Sequence, residues 1–270
     1  MKRRKRKKVT AMGLAVVMAA TVPMQVFATE GVEENTQVNE QVNEQADVTG
    51  SAVGEQTEGF SFQFDATTAV TGYTGVDTAI VIPAQTVKGG ITYKVTSVAE
   101  RAFYNNDSII SVIFEGGIKN IGNSAFEHCD SLQKVELCDS IESMGEGVFS
   151  GCSQLKEVRL SAGLKQISNR AFSGCKNLKE IQIPDAVELI NSWSFNNCTS
   201  LEKVVFSNSS MCKKIGSQAF VRCTALKNIM LSPLTERINE KAFYECSNIS
   251  SIVIPRRVSY IGEQAFENCT

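Results

Sequence analysis

The sequence predicts a repeat solenoid, in which coils of 23 residues stack along one axis and each coil adds one short β-strand to a parallel sheet. Three observations predict this fold. Phenylalanine recurs eight times through the C-terminal part of the 270-residue chain, at intervals of 23 residues with one interval of 25. The residue before it is alanine in six cases, and the third residue after it is cysteine in seven. Large apolar residues lie nine and eleven positions after the phenylalanine in seven coils. The recurring residues are Phe103, Phe126, Phe149, Phe172, Phe195, Phe220, Phe243 and Phe266.

The strand of each coil is predicted by this apolar pair at the ninth and eleventh positions. The two residues alternate with another residue, as expected for a strand that buries one face. A further apolar residue lies about eighteen positions after the phenylalanine, as at Ile121, Met144 and Ile167. We expect this return arm to cross the core as a 3₁₀ or short helical segment. One coil buries too little apolar surface to fold alone, so its stability requires neighbouring coils.

The repeat cassette reads AFxxCxxLxxVxL, and proline follows it in IQIPDAV and IVIPRRV. Longer stretches, such as IGNSAFEHCDSLQKVEL and ISNRAFSGCKNLKEIQIPDAVELI, carry the same pattern. Over about residues 91 to 270 the chain resembles the BspA-like, treponemal-type bacterial leucine-rich repeats. The resemblance implies a leucine-rich repeat fold. It also implies a secreted or surface-attached binding protein, since several proteins of this type are adhesins.

Seven cysteines share one phase of the repeat, so they should form a column resembling the internal ladder of leucine-rich repeats. Cysteine is small and often buried, and we interpret these residues as buried thiols. Disulfides are disfavoured because parallel Cβ vectors do not converge, and a zinc ladder is disfavoured because zinc sites use close CxxC pairs or histidine. Two cysteines lie outside this phase. Cys212 replaces an apolar core residue, and Cys138, at a strand end, is the thiol expected to be exposed.

The N-terminal part divides into three predicted segments. Residues 1–28 read as a signal peptide, since seven basic residues, Lys2 to Lys8, precede an apolar stretch of about 14 residues. An uncleaved membrane anchor is the alternative, although the stretch is short for a span of about 20 residues. Residues 29–58 hold eight acidic residues and no lysine or arginine, which predicts a disordered acidic linker. Residues 59–98 are predicted to form an N-terminal β cap.

The repeat array is assigned to residues 99–270 and is expected to be incomplete at its C-terminal end. The sequence stops four residues after Phe266, before the strand that this residue would support. Solenoids usually close with an atypical polar coil. We therefore expect either a longer natural protein or self-association at an uncapped end, with no membrane span once the signal is cleaved.

The sequence offers little catalytic machinery, and we predict a protein that is not an enzyme and has no cofactor and no metal. Its single histidine, His128, lies in a turn between core positions. No phosphate-binding glycine motif occurs. Without the seven basic residues of the signal, 20 of the 27 remain against 29 acidic residues, which does not favour a nucleic-acid partner.

The predicted strand face is the most plausible binding surface. Its centre is charged and its C-terminal third is apolar, although an ordinary solvated sheet is the competing interpretation. Trp193, the only tryptophan, is expected to be partly exposed on the return arm, either through local repacking or as an aromatic contact for a sugar or a partner. The candidate residues on the strand face are Glu136, Arg159, Gln182, Val205, Met230, Val253, Lys134, Glu157, Glu180 and Lys203.

Taken with the export signal, the sequence predicts a secreted or cell-surface bacterial module that binds a host protein or glycan through its strand face. The alternative function is an accessory recognition domain of a larger secreted enzyme, such as a peptidase or glycan hydrolase, whose catalytic part lies outside this chain. A downstream catalytic motif would favour the enzyme, and a wall-binding segment would favour the adhesin.

Overall fold

The computed structural model describes residues 15–18, as backbone, and residues 57–269, and its centre is a column of eight phenylalanine rings. Neighbouring rings lie 4.5 to 5.5 Å apart between centroids, and their planes are inclined by 21° or less. The first seven rings are buried. The predicted solenoid of 23-residue coils is therefore confirmed, and each coil is named below after its phenylalanine.

One strand from each coil contributes to a parallel arrangement that we call the front ladder. Its buried residues are the predicted pairs, such as Ile181 and Ile183, and its other residues point to solvent. Hydrogen-bonded pairing joins the first four strands and then the next three, and a single bridge, Met230 to Val253, leads to the last. The last strand also pairs in parallel with Ala15–Met18. The eight front strands are Ala79–Ile82, Ser111–Phe114, Lys134–Glu136, Glu157–Arg159, Glu180–Ile183, Lys203–Phe206, Asn228–Ile229 and Ser251–Ile254.

A second parallel ladder, the back ladder, runs along the opposite side of the core. Its strands contain the apolar residue that the sequence places on the return arm. This residue is buried in every strand except the last, where Ile261 is exposed. The ladder is continuous over its first two strands and over its last five. The strands are Asn120–Ile121, Ser143–Met144, Gln166–Ile167, Leu189–Ile190, Lys214–Ile215, Arg237–Ile238 and Tyr260–Ile261.

The return arm differs from the expected 3₁₀ or short helical segment, because residues 57–269 contain no helix. After the back strand, the chain runs through successive turns, and alternate N–H groups bond to the next coil while those between them bond three residues back. The N–H of Phe126 donates to the carbonyl of Val148 at 2.9 Å, and the N–H groups two residues to either side donate in the same direction. An N–H group that donates to the next coil cannot donate to the carbonyl four residues earlier, as an α-helix requires.

Left-handed backbone at two phases of the return arm explains why no helix forms. In all eight coils the residues two before and two after the phenylalanine have φ between +51° and +77°. A helix requires φ near −63° at every residue. Thirteen of the sixteen residues are not glycine. The left-handed conformation costs each of them about 1 to 2 kcal/mol, and the hydrogen bonds between coils offset this cost. The three glycines at these phases are Gly147, Gly151 and Gly174.

Gly174→Ala is expected to lower the free energy of unfolding by about 1 kcal/mol. Its φ is +76°, while an added Cβ would find its nearest neighbour, Gly151 Cα, at an ordinary 3.6 Å, so the cost comes from the backbone. Gly116→Ala is the matched control, because its added Cβ meets nothing within 4 Å and its φ is not left-handed. This control should be neutral or slightly stabilising. If urea denaturation shows equal changes in the free energy of unfolding for the two variants, the left-handed backbone of Gly174 is not the cause of the cost.

Four strands cover the N-terminal end of the core. Phe60–Gln63 and Thr68–Tyr73 form an antiparallel hairpin, and Thr68–Tyr73 pairs in parallel with Ile91–Val98, which continues into the back ladder. Gln85–Lys88 and Ile91–Val98 form a second hairpin around Gly89 and Gly90, which have φ of +60° and +76°. These strands lie within the predicted cap.

The predicted signal peptide and acidic linker fall outside the described residues, apart from the backbone of 15–18 and residues 57 and 58. The described part of the chain contains no helix long and apolar enough to cross a membrane.

Candidate functional site

The front ladder carries all ten strand-face candidates on its solvent side. Parallel register places equivalent residues of neighbouring coils directly beside one another, so Lys134 lies next to Glu157 and Glu136 next to Arg159. The same register sets Glu180 beside Lys203 and Gln182 beside Val205. Glu136 and Val205 are partly exposed, and the other eight are exposed. The strand face is thus a single ordered surface rather than a set of scattered side chains.

The charged centre of the face is largely neutralised by its own ion pairs. Lys134 Nζ lies 2.7 Å from Glu136 Oε1, and Lys203 Nζ lies 2.8 Å from Glu180 Oε1. Arg159 Nη2 lies 2.8 Å from Asp139 Oδ2, while its Nη1 donates to the carbonyl of Leu137 at 2.6 Å. A partner would have to displace these contacts to pair with the charges, so the centre offers little net attraction.

Two of these pairs change the pKa of a member. The hydrogen bond to Glu136 raises the pKa of Lys134, and the nearby charge of the same carboxylate adds to this effect. The N–H of Ala162 lowers the pKa of Asp139, and Arg159 lowers it further. Lys134 and Asp139 therefore remain charged over a wider pH range than free side chains, and neither is suited to proton transfer near neutral pH.

A depression of about 500 Å³ lies at the charged centre, where the ladder is interrupted between Glu157–Arg159 and Glu180–Ile183. Val158, which the sequence places in the core, is only partly buried there. Val158 lines the depression. The walls are a mixture of lysine, arginine and glutamate side chains.

The apolar end of the face has a second depression, of about 470 Å³, between the coils of Phe195 and Phe220. Val205, Phe206 and Met230 line it together with Lys203 and Lys227. Met230 is 71% exposed, and Val253 of the next coil is 49% exposed. Because the bridge from Met230 to Val253 joins these two residues across neighbouring coils, the exposed apolar surface is continuous.

The first front strand extends the face beyond what the sequence predicted. Ala79–Ile82 pairs in register with Ser111–Phe114, which brings Val81 beside Ile113. Val81 is 45% exposed and Ile113 is 43% exposed. The sequence assigned this segment to the N-terminal β cap and left it out of the strand face, because it has no phenylalanine cassette before it, although the alternation in AIVIP is a usable signal.

Trp193 does not lie on the strand face. It is partly exposed on the return arm at one of the left-handed phases, with φ of +56°. The guanidinium carbon of Arg170, from the preceding coil, lies 5.1 Å from the centre of its ring. The next residue, Ser194, is buried and donates from Oγ to Asn191 O at 2.7 Å. The cation–π contact links Trp193 to the preceding coil.

The cysteine column consists of free, buried thiols. Each Sγ donates to the carbonyl of the phenylalanine in the preceding coil, as Cys198 does to Phe172 at 3.1 Å. Burial raises the pKa of Cys198 to about 12, which makes the thiol inert near neutral pH. Cys212 is buried as expected. Cys138 is partly exposed, and its Sγ lies 3.1 Å from Ser140 Oγ.

The described residues contain no cluster of three or more histidine, cysteine, aspartate or glutamate side chains that could hold a metal ion. His128 is exposed in its turn, 3.9 Å from Glu127 and without a neighbouring nucleophile in a hydrogen bond. The observed arrangement can therefore support contact with a partner, and it offers no assembled group for acid-base or nucleophilic chemistry.

A parallel solenoid of 23-residue coils with an open front strand face is typical of a leucine-rich repeat protein. A family model described as a BspA type leucine rich repeat region, present in six copies, matches residues 87–202 and 147–270. The chain belongs to this family. No curated protein matches it.

Solved bacterial structures share the fold. A leucine-rich repeat protein of T. pallidum is 24% identical, with a TM-score of 0.59, over 78% of this chain and 86% of that chain. A leucine rich cell surface protein of Faecalibacterium prausnitzii is 25% identical, with a TM-score of 0.55, over 78% of this chain and 73% of that chain. The resemblance stated from the sequence is confirmed, and the chain is a repeat protein of the type that generally binds other proteins.

Proposed function

We propose that this chain is an exported cell-surface module that binds a partner protein through its strand face, in adhesion or in recognition of a host. The observation that carries the proposal is the continuous apolar surface of Val205, Met230 and Val253 beside an open depression. Exposed apolar surface rimmed by charge is typical of protein interaction sites. The match to a protein described as a cell surface protein supports the location.

A protein partner fits this face better than a glycan does. The outward residues of the eight front strands include no aromatic side chain, whereas sugars commonly stack their C–H faces on aromatic rings. The charged centre is paired internally, so apolar contact supplies most of the available binding energy. The paired charges at the centre would then set the orientation of the partner and disfavour partners of the wrong charge pattern.

A second candidate is the accessory recognition domain of a larger secreted enzyme. Its catalytic part would lie outside this chain, and it would recognise its partner through the return arm. Trp193 is the candidate contact if the recognised partner is a glycan. Trp193→Ala would then abolish binding on a glycan array, and Met230→Asp would leave it unchanged.

Met230→Asp is expected to weaken binding of the partner about thirtyfold or more, because it places a charge in the apolar contact. Met230 is exposed in the free protein, so its free energy of unfolding should change by no more than about 0.5 kcal/mol. Binding of the wild type and the variant to arrays of host proteins and of glycans measures the difference. A variant combining Arg159→Glu, Val205→Asp and Met230→Asp extends the test over the whole face.

Met211→Asp is the matched control. Met211 is another exposed methionine, 41% accessible, that neither bridges to a front strand nor lines the apolar depression. It should leave binding unchanged. If the strand-face variants bind as tightly as the wild type, or if Met211→Asp is as harmful as Met230→Asp, the strand face is not the binding surface.

A further inference from the structure

The first front strand, Ala79–Ile82, is the edge of its sheet and pairs only with Ser111–Phe114. The carbonyls of Thr78 and Ile82 accept hydrogen bonds from residues that flank this partner strand. Backbone groups of successive strand residues point to opposite edges, so the N–H and C=O groups of Ala79 and Val81 point away from the ladder. Neither residue has a backbone partner on that side among residues 57–269. An open strand edge of this kind is a template for another strand.

A cleft of about 660 Å³ lies against this open edge. The cap supplies its other wall, with Phe60 and Tyr73 packed ring to ring at 4.8 Å. Val76, also in the wall, is 94% exposed, which is the largest exposure of any large apolar side chain in the described residues. The cleft therefore combines unpaired backbone groups with apolar side chains, and an extended peptide needs both.

The charge of the cleft selects the kind of peptide. Its lining includes three carboxylates, Glu58, Asp77 and Glu115, and no lysine or arginine. Glu115 is engaged through Oε2 with the N–H of Ala84 at 2.6 Å, which leaves Glu58 and Asp77 for a ligand. The preceding segment of this chain, residues 29–56, is acidic and without basic residues, so it has the wrong charge to occupy the cleft.

We propose that the cleft binds an extended basic peptide of a partner protein, which adds as a strand to the edge of Ala79–Ile82. The peptide exchanges backbone hydrogen bonds with Ala79 and Val81. Its apolar side chains contact Phe60, Tyr73 and Val76, and its lysine or arginine side chains face Glu58 and Asp77. This site lies at the cap, apart from the apolar end of the strand face, and does not depend on that surface binding a partner.

The test uses the full chain and a fluorescent peptide of about nine residues that alternates lysine and valine, long enough to span a strand. Its anisotropy is expected to report saturable binding that weakens as salt rises from about 50 mM to about 500 mM. The glutamate-valine counterpart should not bind. A lysine-valine peptide that is N-methylated at every second residue loses the N–H donors on one edge. Its affinity should be at least about tenfold lower.

Val81→Pro removes the donor that points into the cleft without removing a ladder hydrogen bond, since proline is tolerated at sheet edges. It should weaken binding of the lysine-valine peptide about tenfold, whereas Val81→Ala, which keeps the N–H, should not. Asp77→Lys should weaken binding and flatten its salt dependence. The matched control is Glu100→Lys, an exposed carboxylate just after the cap and outside the cleft, which should change neither the affinity nor its salt dependence.

Several outcomes would overturn the proposal. These are the absence of binding by the lysine-valine peptide, equal binding by the N-methylated peptide, and unchanged binding by a folded Val81→Pro variant. Self-association in sedimentation velocity that Val81→Pro removes would identify a second copy as the occupant and would also reject a foreign peptide. Met230→Asp should leave peptide binding intact, so failure of this site is distinguishable from failure of the strand face.

Discussion

Phe172→Ala is expected to lower the free energy of unfolding by about 3 to 5 kcal/mol. Phe172 is fully buried, and its ring centroid lies 5.5 Å from that of Phe149 and 5.4 Å from that of Phe195. Alanine would leave a cavity in the middle of the column and remove ring contacts with two neighbouring coils together. In a solenoid, stability is carried by the interfaces between coils, so this loss affects both sides of the array. Urea denaturation followed by circular dichroism measures the change.

Phe266→Ala is the control. It tests whether the eight rings form one shared column or contribute to stability independently. Phe266 is only partly buried and has one ring neighbour, Phe243, at 5.4 Å. Phe266→Ala should lower the free energy of unfolding by about half as much or less, because the ring of Phe266 buries less apolar surface than that of Phe172. Equal costs for the two variants would mean that the rings do not form a common core. A broader or two-step transition for Phe172→Ala would indicate that the array has separated into two cooperative units.

Residue periodicity was sufficient to predict the columns of this protein. Any residue type fixed at one phase must lie on its equivalents once coils stack, which is why Phe126, Cys152 and the strand pair of Val135 and Leu137 lie in the core as expected. Ion pairs between coils follow the same rule, and Lys203 with Glu180 could have been paired from their separation of 23 residues. The pair of Lys134 with Glu136 lies within one strand and depends on side-chain conformations that the repeat does not specify.

The return arm could not be predicted from its apolar spacing, because short helical and turn segments bury similar positions. A better signal was present two residues to either side of the phenylalanine. Glycine or asparagine occupies one of these phases at Asn105, Gly151, Gly174, Asn197 and Asn268, and these residue types tolerate left-handed backbone best. Arginine, lysine and tryptophan elsewhere at the two phases hid the pattern. The hydrogen bonds between coils impose the conformation on them whatever their own preference.

The repeat array is expected to unfold in mild alkali because of its buried thiols. Burial raises the pKa of Cys198, Cys212 and Cys269 to about 12. It raises the pKa of three more thiols well above the usual value of 9.0, namely those of Cys152, Cys175 and Cys223. A thiol whose folded pKa exceeds its unfolded pKa contributes its full stability below the unfolded value and loses it as the pH rises above that value.

Between about pH 9 and pH 12 the unfolded chain therefore releases protons that the folded chain retains. Each such thiol lowers the free energy of unfolding by about 1.4 kcal/mol per pH unit, so six together give about 8 kcal/mol per unit. A domain of ordinary stability, about 5 to 15 kcal/mol, would unfold within about two units above pH 9. Urea denaturation between about pH 7 and pH 10, under reducing conditions, should show a stability that is level at first and then falls steeply.

A variant with Cys175→Ala and Cys198→Ala tests whether the thiols cause this fall. Alanine does not ionise, so the slope of stability against pH above 9 should decrease by about one third, even if the variant is less stable at pH 7 because two S–H hydrogen bonds are lost. Iodoacetamide at neutral pH should modify Cys138 first, and the column only after unfolding. An unchanged slope in the double variant would assign the alkaline transition to lysine or tyrosine side chains. Rapid modification of all nine thiols would contradict the closed column on which the slope depends.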